Sequence, residues 1–107
     1  MGIDINSGEG GSPVRGTVIS QNVISDEDID IAMDTPGELD VHLNELRDGK
    51  VGVANICDYD YTLNGFSTKP CASSSVDATE NFWGCPNGPG SKGGCTTTYG
   101  PNINFTP

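Results

Sequence analysis

The chain has 107 residues, enough for one domain with a modest core, and only 34% of them are hydrophobic. Its 15 glycines and 7 prolines favour turn-rich β structure over a helical bundle. With 15 acidic residues against 5 basic ones the net charge is −10, which argues against nucleic acid and anionic membranes as partners and leaves cations, neutral glycans and basic proteins.

Residues 1–15 are expected to form an N-terminal strand or cap. Ile3-Asp4-Ile5 alternates apolar and polar residues as a β-strand does, and a flexible stretch rich in Gly and Ser follows it. Neither a secretory signal peptide nor an apolar run of membrane-spanning length is visible, so we interpret Met1 as a mature or truncated start.

A repeat of 22 residues organises the next part of the chain. Thr17–Ile24 aligns with Leu39–Leu46, and Val76–Trp83 forms a third copy after a longer step. The copies are short, rich in β-branched residues and alternate with a period of two, which predicts strands in the coils of a β-solenoid. An asparagine recurs in every copy and is expected to occupy a left-handed bend and to stack in a ladder: Asn22, Asn44 and Asn81.

Residues 57–74 are interpreted as a loop inserted before the third copy. Cys57 and Cys71 predict a disulfide that closes it, and Cys85 and Cys95 predict a second, although four cysteines also allow two other pairings or free thiols. Disulfides indicate an oxidising compartment, hence a secreted or cell-surface protein. The loop carries three aromatic residues that suit stacking on sugar rings, or that cover the side of the solenoid: Tyr59, Tyr61 and Phe66.

Residues 84–107 are predicted to form a closing segment. The run Asn-Phe-Trp-Gly-Cys-Pro-Asn-Gly-Pro-Gly that starts at Asn81, together with the repeated Asn-x-apolar pattern, resembles the C-terminal coils of right-handed parallel β-helix proteins with pectate-lyase-like repeats. The resemblance implies an all-β fold, a short right-handed parallel β-helix (β-solenoid) of about three to four coils of ~22 residues, in a single domain over residues 1–107. Members of that family include polysaccharide lyases, glycoside hydrolases, adhesins and structural surface proteins.

One candidate site follows from the stacking of the early strands. If the apolar residues of Ile29–Met33 point inward, Asp30 points to solvent beside Asp4, and Lys50 stacks over Asp28. Stacked carboxylates repel unless a cation bridges them, and calcium is the natural bridge between Asp4 and Asp30. The plainer interpretation is a solvated acidic face.

A second candidate site lies on a predicted sheet face. Asp40 and Asp77 share a ladder position, and His42, the single histidine of the chain, lies two residues from Asp40. Such a group suits acid–base cleavage of a polysaccharide or the binding of a divalent metal. The plainer interpretation is an ordinary polar ladder.

These features predict an extracellular, non-catalytic β-helix module that binds carbohydrate or builds structure by self-association. The alternative is a polysaccharide-degrading enzyme, a lyase or glycoside hydrolase, or the remnant of one. No cofactor other than calcium is expected. Because a short solenoid leaves its first coil open to pairing, we expect a homo-oligomer through the N-terminal coil, with polysaccharide as the ligand.

Overall fold

The computed structural model describes residues 2–5, 14–56, 74–85, 88–90 and 95–105. Within these ranges the chain is all-β and contains no helix. It therefore has no helix there that is long and apolar enough to cross a membrane. The strands of the described residues are β1 (Ile3–Ile5), β2 (Val14–Ser20), β3 (Val23–Ser25), β4 (Ile29–Met33), β5 (Gly37–His42), β6 (Glu45–Arg47), β7 (Val51–Asn55), β8 (Ser74–Asp77), β9 (Thr97–Tyr99) and β10 (Ile103–Asn104).

The strands form three sheets, and every strand pair among the described residues is parallel. The first sheet has the order β1-β4-β7-β9, the second β10-β8-β5-β2, and the third β3-β6. From β2 to β8 the chain visits the second, third and first sheets in turn and then repeats the cycle. The expected all-β class with parallel strands is therefore confirmed.

The register of the sheets follows the 22-residue repeat. β2 pairs with β5, β3 with β6 and β4 with β7, and partners such as Ile29 and Val51 are one repeat apart in the sequence. β8 joins β5 after a step of 37 residues, as the spacing of the asparagines predicts. The first strand departs from the prediction, because Ile3 pairs with Ile31 rather than with Ile29.

The asparagine ladder is present. Nδ2 of Asn22 donates to Oδ1 of Asn44 at 3.0 Å, and Nδ2 of Asn44 donates to Oδ1 of Asn81 at 3.0 Å. The left-handed bend, however, falls one residue before each asparagine rather than on it. The asparagine supplies the stacked amide, while the preceding residue takes the positive φ: Gln21 (59°), Leu43 (60°) and Glu80 (63°).

Apolar side chains pack on both faces of β4 and β7. Ile31 and Met33 belong to the main core, in which Trp83 is also buried. Ile29 and Ala32 belong to a second, smaller cluster. Because successive strand residues point to opposite faces, Ile31 and Ala32 place these clusters on opposite sides of the first sheet.

The predicted outward orientation of Asp30 is wrong, since its side chain is 0% exposed. Asp30 stands beside Gly52 in the register of β4 with β7, and a Cβ on Gly52 would lie 2.7 Å from Cζ3 of Trp83, so this position faces the interior. The strict alternation of inward and outward side chains along β4 therefore fails at Asp30. The pairing of β7 with β9 also shifts its register, between Val51 and Val53.

The described residues confirm two other predictions from the sequence. Nζ of Lys50 lies 3.7 Å from Oδ1 of Asp28, as the ladder predicts, and both side chains are exposed. The disulfide between Cys85 and Cys95 is formed, which is compatible with an extracellular location. The other predicted disulfide, Cys57–Cys71, lies outside the described residues.

Candidate metal centre on the second sheet

Strands β5 and β8 bring Asp40, His42 and Asp77 together. Asp40 and Asp77 are direct partners in the parallel register. Leu39 and Val41 are buried in the main core, so the intervening Asp40 points to solvent and His42 emerges on the same face. The sequence repeat thus predicted this grouping correctly, in spite of the long step between the two strands.

The three side chains are close enough to share an ion. One ligand atom from each lies within 4.8 Å of the other two, and Nε2 of His42 is 4.0 Å from Oδ2 of Asp77. Two ligands of a transition metal lie at most about 4.2 Å apart, because each sits roughly 2.1 Å from the ion. Three ligands around one tetrahedral ion lie only about 3.4 Å from one another, so the side chains have to approach by up to about 1.4 Å to bind a single ion.

A hydrogen bond decides which nitrogen of His42 faces the carboxylates. Nδ1 lies 2.9 Å from the backbone carbonyl oxygen of Thr79. Because a carbonyl oxygen only accepts, Nδ1 carries a proton, and in the neutral ring the lone pair is on Nε2. Metal-binding histidines commonly donate their other N–H to a carbonyl in this way.

Thr79 orients Asp77 as well. Its hydroxyl donates to Oδ1 of Asp77 at 3.0 Å, and its backbone N–H donates to the same oxygen at 3.3 Å. These bonds direct Oδ2 of Asp77 toward the imidazole. One residue in the turn after β8 therefore positions two of the three candidate ligands.

The donor set has a definite chemical preference. An imidazole and two carboxylates suit Zn²⁺ and neighbouring divalent metals, whereas calcium prefers oxygen donors alone. Asp40 and Asp77 are like charges in adjacent strands, and a bound cation removes their repulsion. A carboxylate pair is also what acid–base hydrolysis of a glycoside requires.

The predicted Asp4–Asp30 pair is not formed. Asp4 pairs with Ala32 in the register of β1 with β4 and is exposed, whereas Asp30 is buried. Within the part of the chain that the structure describes, neither carboxylate oxygen of Asp30 has a hydrogen-bond partner. Burial, and next the negative charge of Glu27, raise the pKa of Asp30 to about 7.

The predicted aromatic ligand-binding residues Tyr59, Tyr61 and Phe66 lie outside the described residues. Sequence reasoning missed another exposed aromatic side chain, Phe82, which is 43% exposed. Its signal was available, because Trp83 points into the core and strand alternation turns its neighbour outward. The role of Thr79 left no comparable signal, since a backbone carbonyl contact is not readable from residue identity.

Comparison with known proteins adds no relatives: no family model, no curated protein and no solved structure matches the chain. The resemblance to pectate-lyase-like proteins therefore remains a prediction.

Proposed function

We propose that this chain is a secreted or cell-surface, non-catalytic module built on a short right-handed parallel β-helix. It binds a divalent metal ion at Asp40, His42 and Asp77, and through that ion it binds carbohydrate. The observation that carries the proposal is the convergence of three ligand atoms within 4.8 Å, with the His42 nitrogen selected by the Thr79 carbonyl.

Three features support the β-helix. The chain visits the three sheets in a fixed cycle, equivalent strands pair in parallel, and a ladder of asparagine amides links three successive turns. Each of these is what a coil that repeats every 22 residues supplies. The right-handed sense of the helix is inferred from the resemblance and from the strong preference of connections between parallel strands for right-handed crossovers.

The surroundings of the site favour a neutral polysaccharide. Three protein ligands leave coordination positions open on an exposed face, and sugar hydroxyl oxygens suit those positions. Val18, the strand partner of Asp40, is 58% exposed and offers an apolar surface to the C–H face of a sugar ring. The net charge of −10 opposes binding of anionic polymers.

Metal titration followed by sedimentation with insoluble polysaccharides tests this function. We expect the wild-type chain to bind Zn²⁺ and to be retained on a neutral polysaccharide only while metal is present. Asp77→Asn should weaken metal binding by roughly tenfold or more. Glu38→Gln is the matched control, because Glu38 is an exposed carboxylate on the same strand as Asp40. Equal metal binding by both variants would contradict the proposal.

The alternative, a polysaccharide-degrading enzyme, is favoured by one observation, the proximity of the Asp40 and Asp77 carboxylates. Both carboxylates are exposed, however, and transition-state charge is stabilised best where water is excluded. Release of soluble sugar by the wild-type chain, lost in Asp40→Asn and in Asp77→Asn, would replace the binding function with the catalytic one.

Self-association is a further part of the proposal. Among the described residues β1, β2 and β3 each stand at an edge of their sheets, at the N-terminal end of the stacked strands. Edge strands pair readily with another chain, so we propose a homo-oligomer through this end. Light scattering over a concentration series should give a mass above that of the monomer, and a strict monomer would contradict it.

A further inference from the structure

We propose a second cation site, for calcium, in the corner where Glu27 lies against Gly49 of the next turn. It is built around the buried carboxylate of Asp30, which is close enough to Glu27 and Asp48 for their charges to act on it. The proposal does not depend on the metal centre on the second sheet, because the two sites share no residue.

The first observation is a buried carboxylate that has no partner. The side chain of Asp30 is 0% exposed, and among the described residues neither Oδ1 nor Oδ2 has a hydrogen-bond partner. Burying an unpaired charge costs far more than burying a neutral group, and native proteins rarely leave such a group unsatisfied. The carboxylate therefore needs either a proton or a cation.

The second observation is where the carboxylate points. Oδ1 of Asp30 lies 3.2 Å from the position that a Cβ on Gly49 would occupy, and the backbone carbonyl oxygen of Glu27 lies still closer to that position. A carboxylate oxygen and a carbonyl oxygen thus converge on the backbone of the neighbouring turn. Only glycine fits at position 49 without displacing the Glu27 carbonyl.

The third observation is the charge around this corner. After burial, the main causes that raise the pKa of Asp30 are the charge of Glu27 and, more weakly, that of Asp48. Glu27 is half-buried and Asp48 is exposed, so negative charge extends from the buried carboxylate to the surface. A bound cation would remove the mutual repulsion of these groups.

The chemistry of the donors selects the ion. The corner offers carboxylate and carbonyl oxygens and no imidazole or thiolate among the described residues. Calcium takes six to eight oxygen ligands at about 2.3–2.6 Å, including bidentate carboxylates, backbone carbonyls and water. The two proposed sites therefore differ in the metal they prefer.

Thermal unfolding of chelator-treated protein at pH 8, with and without millimolar CaCl₂, tests the site. We expect calcium to raise the Tm of the wild-type chain by roughly 4 °C or more. Asp30→Asn keeps the shape of the side chain but removes its charge, and it should abolish this rise. Asp28→Asn, an exposed carboxylate in the same turn, and Asp40→Asn at the other site should both retain it.

Calorimetric titration with CaCl₂ gives the second measurement. One calcium ion per chain in the wild type, lost in Asp30→Asn and kept in Asp28→Asn and Asp40→Asn, supports the proposal. A calcium-induced rise in Tm that persists in Asp30→Asn would overturn it. Absence of any calcium effect in the wild type would also overturn it and would mean that Asp30 is a buried, protonated carboxyl group.

Discussion

The substitution Asp30→Asn should change how the stability of the fold depends on pH. In the folded chain the pKa of Asp30 is raised from 3.8 to about 7, mainly by burial. Between these two values the folded chain holds a proton that the unfolded chain has lost, so stability falls as pH rises through this window and levels off above about 7. Below pH 3.8 the full contribution of the neutral carboxyl group is present.

The size of the effect follows from the shift. One pKa unit corresponds to about 1.4 kcal/mol, so ionising Asp30 within the fold costs on the order of 4 kcal/mol in all. Between pH 5 and pH 8 the wild type should lose about 2–3 kcal/mol of stability relative to Asp30→Asn. That is a large share of the roughly 5–15 kcal/mol that stabilises a typical domain.

Urea denaturation at several pH values between 5 and 8, in the presence of a chelator, measures this difference. The slope against pH is the relevant quantity, because the buried amide that Asp30→Asn introduces adds a cost that does not depend on pH. Asp28→Asn serves as the control, since Asp28 is exposed and paired with Lys50. Parallel pH profiles for the wild type and Asp30→Asn would refute the reasoning.

Three further outcomes concern the ladder, the bend and the disulfide. Asn44→Ala should cost roughly 2–4 kcal/mol and Asn22→Ala about 1 kcal/mol in urea denaturation, because the buried Asn44 amide bonds to both neighbouring turns; equal costs would contradict this. Leu43→Asn should raise the free energy of unfolding by roughly 0.5–1 kcal/mol, since Leu43 has a φ of 60° and is 58% exposed, whereas Val23→Asn in strand β3 should not. Replacing Cys85 and Cys95 by serine should lower stability by about 2–3 kcal/mol, measured under oxidising conditions, and no change would exclude a stabilising role for the disulfide.

The periodic part of the fold was predictable from the sequence because each coil repeats the same contacts. The 22-residue interval fixed the pairing of β4 with β7, and the recurring asparagine predicted the bonds from Asn22 to Asn44 and from Asn44 to Asn81. The same register brought Asp40 and Asp77 together. In all these cases a single period determines which residues stack.

Prediction failed where the period is interrupted. The sequence does not show that Ile3 pairs with Ile31, two residues beyond the expected Ile29. The length of the segment after β1 does not fix the register of a single short strand. Asp30 was placed outside because alternation was assumed to hold through β4, and nothing in residue identity marks where it breaks. The orientation of His42 depends on the Thr79 carbonyl, and a backbone contact has no sequence signature.

The imidazole of His42 gives the most direct test of the proposed metal centre, because it is the single histidine of the chain. Nitrogen-15 NMR of the side chain should show Nδ1 protonated in the neutral ring, and Zn²⁺ should shift the Nε2 resonance at similar concentrations in the wild type and in Glu38→Gln, but only at roughly tenfold or more higher concentrations in Asp77→Asn. A metal centre formed by Asp40, His42 and Asp77 would be contradicted by an Nε2 resonance that does not respond to Zn²⁺. It would also be contradicted by one that shifts at the same Zn²⁺ concentration in Asp77→Asn as in the wild type.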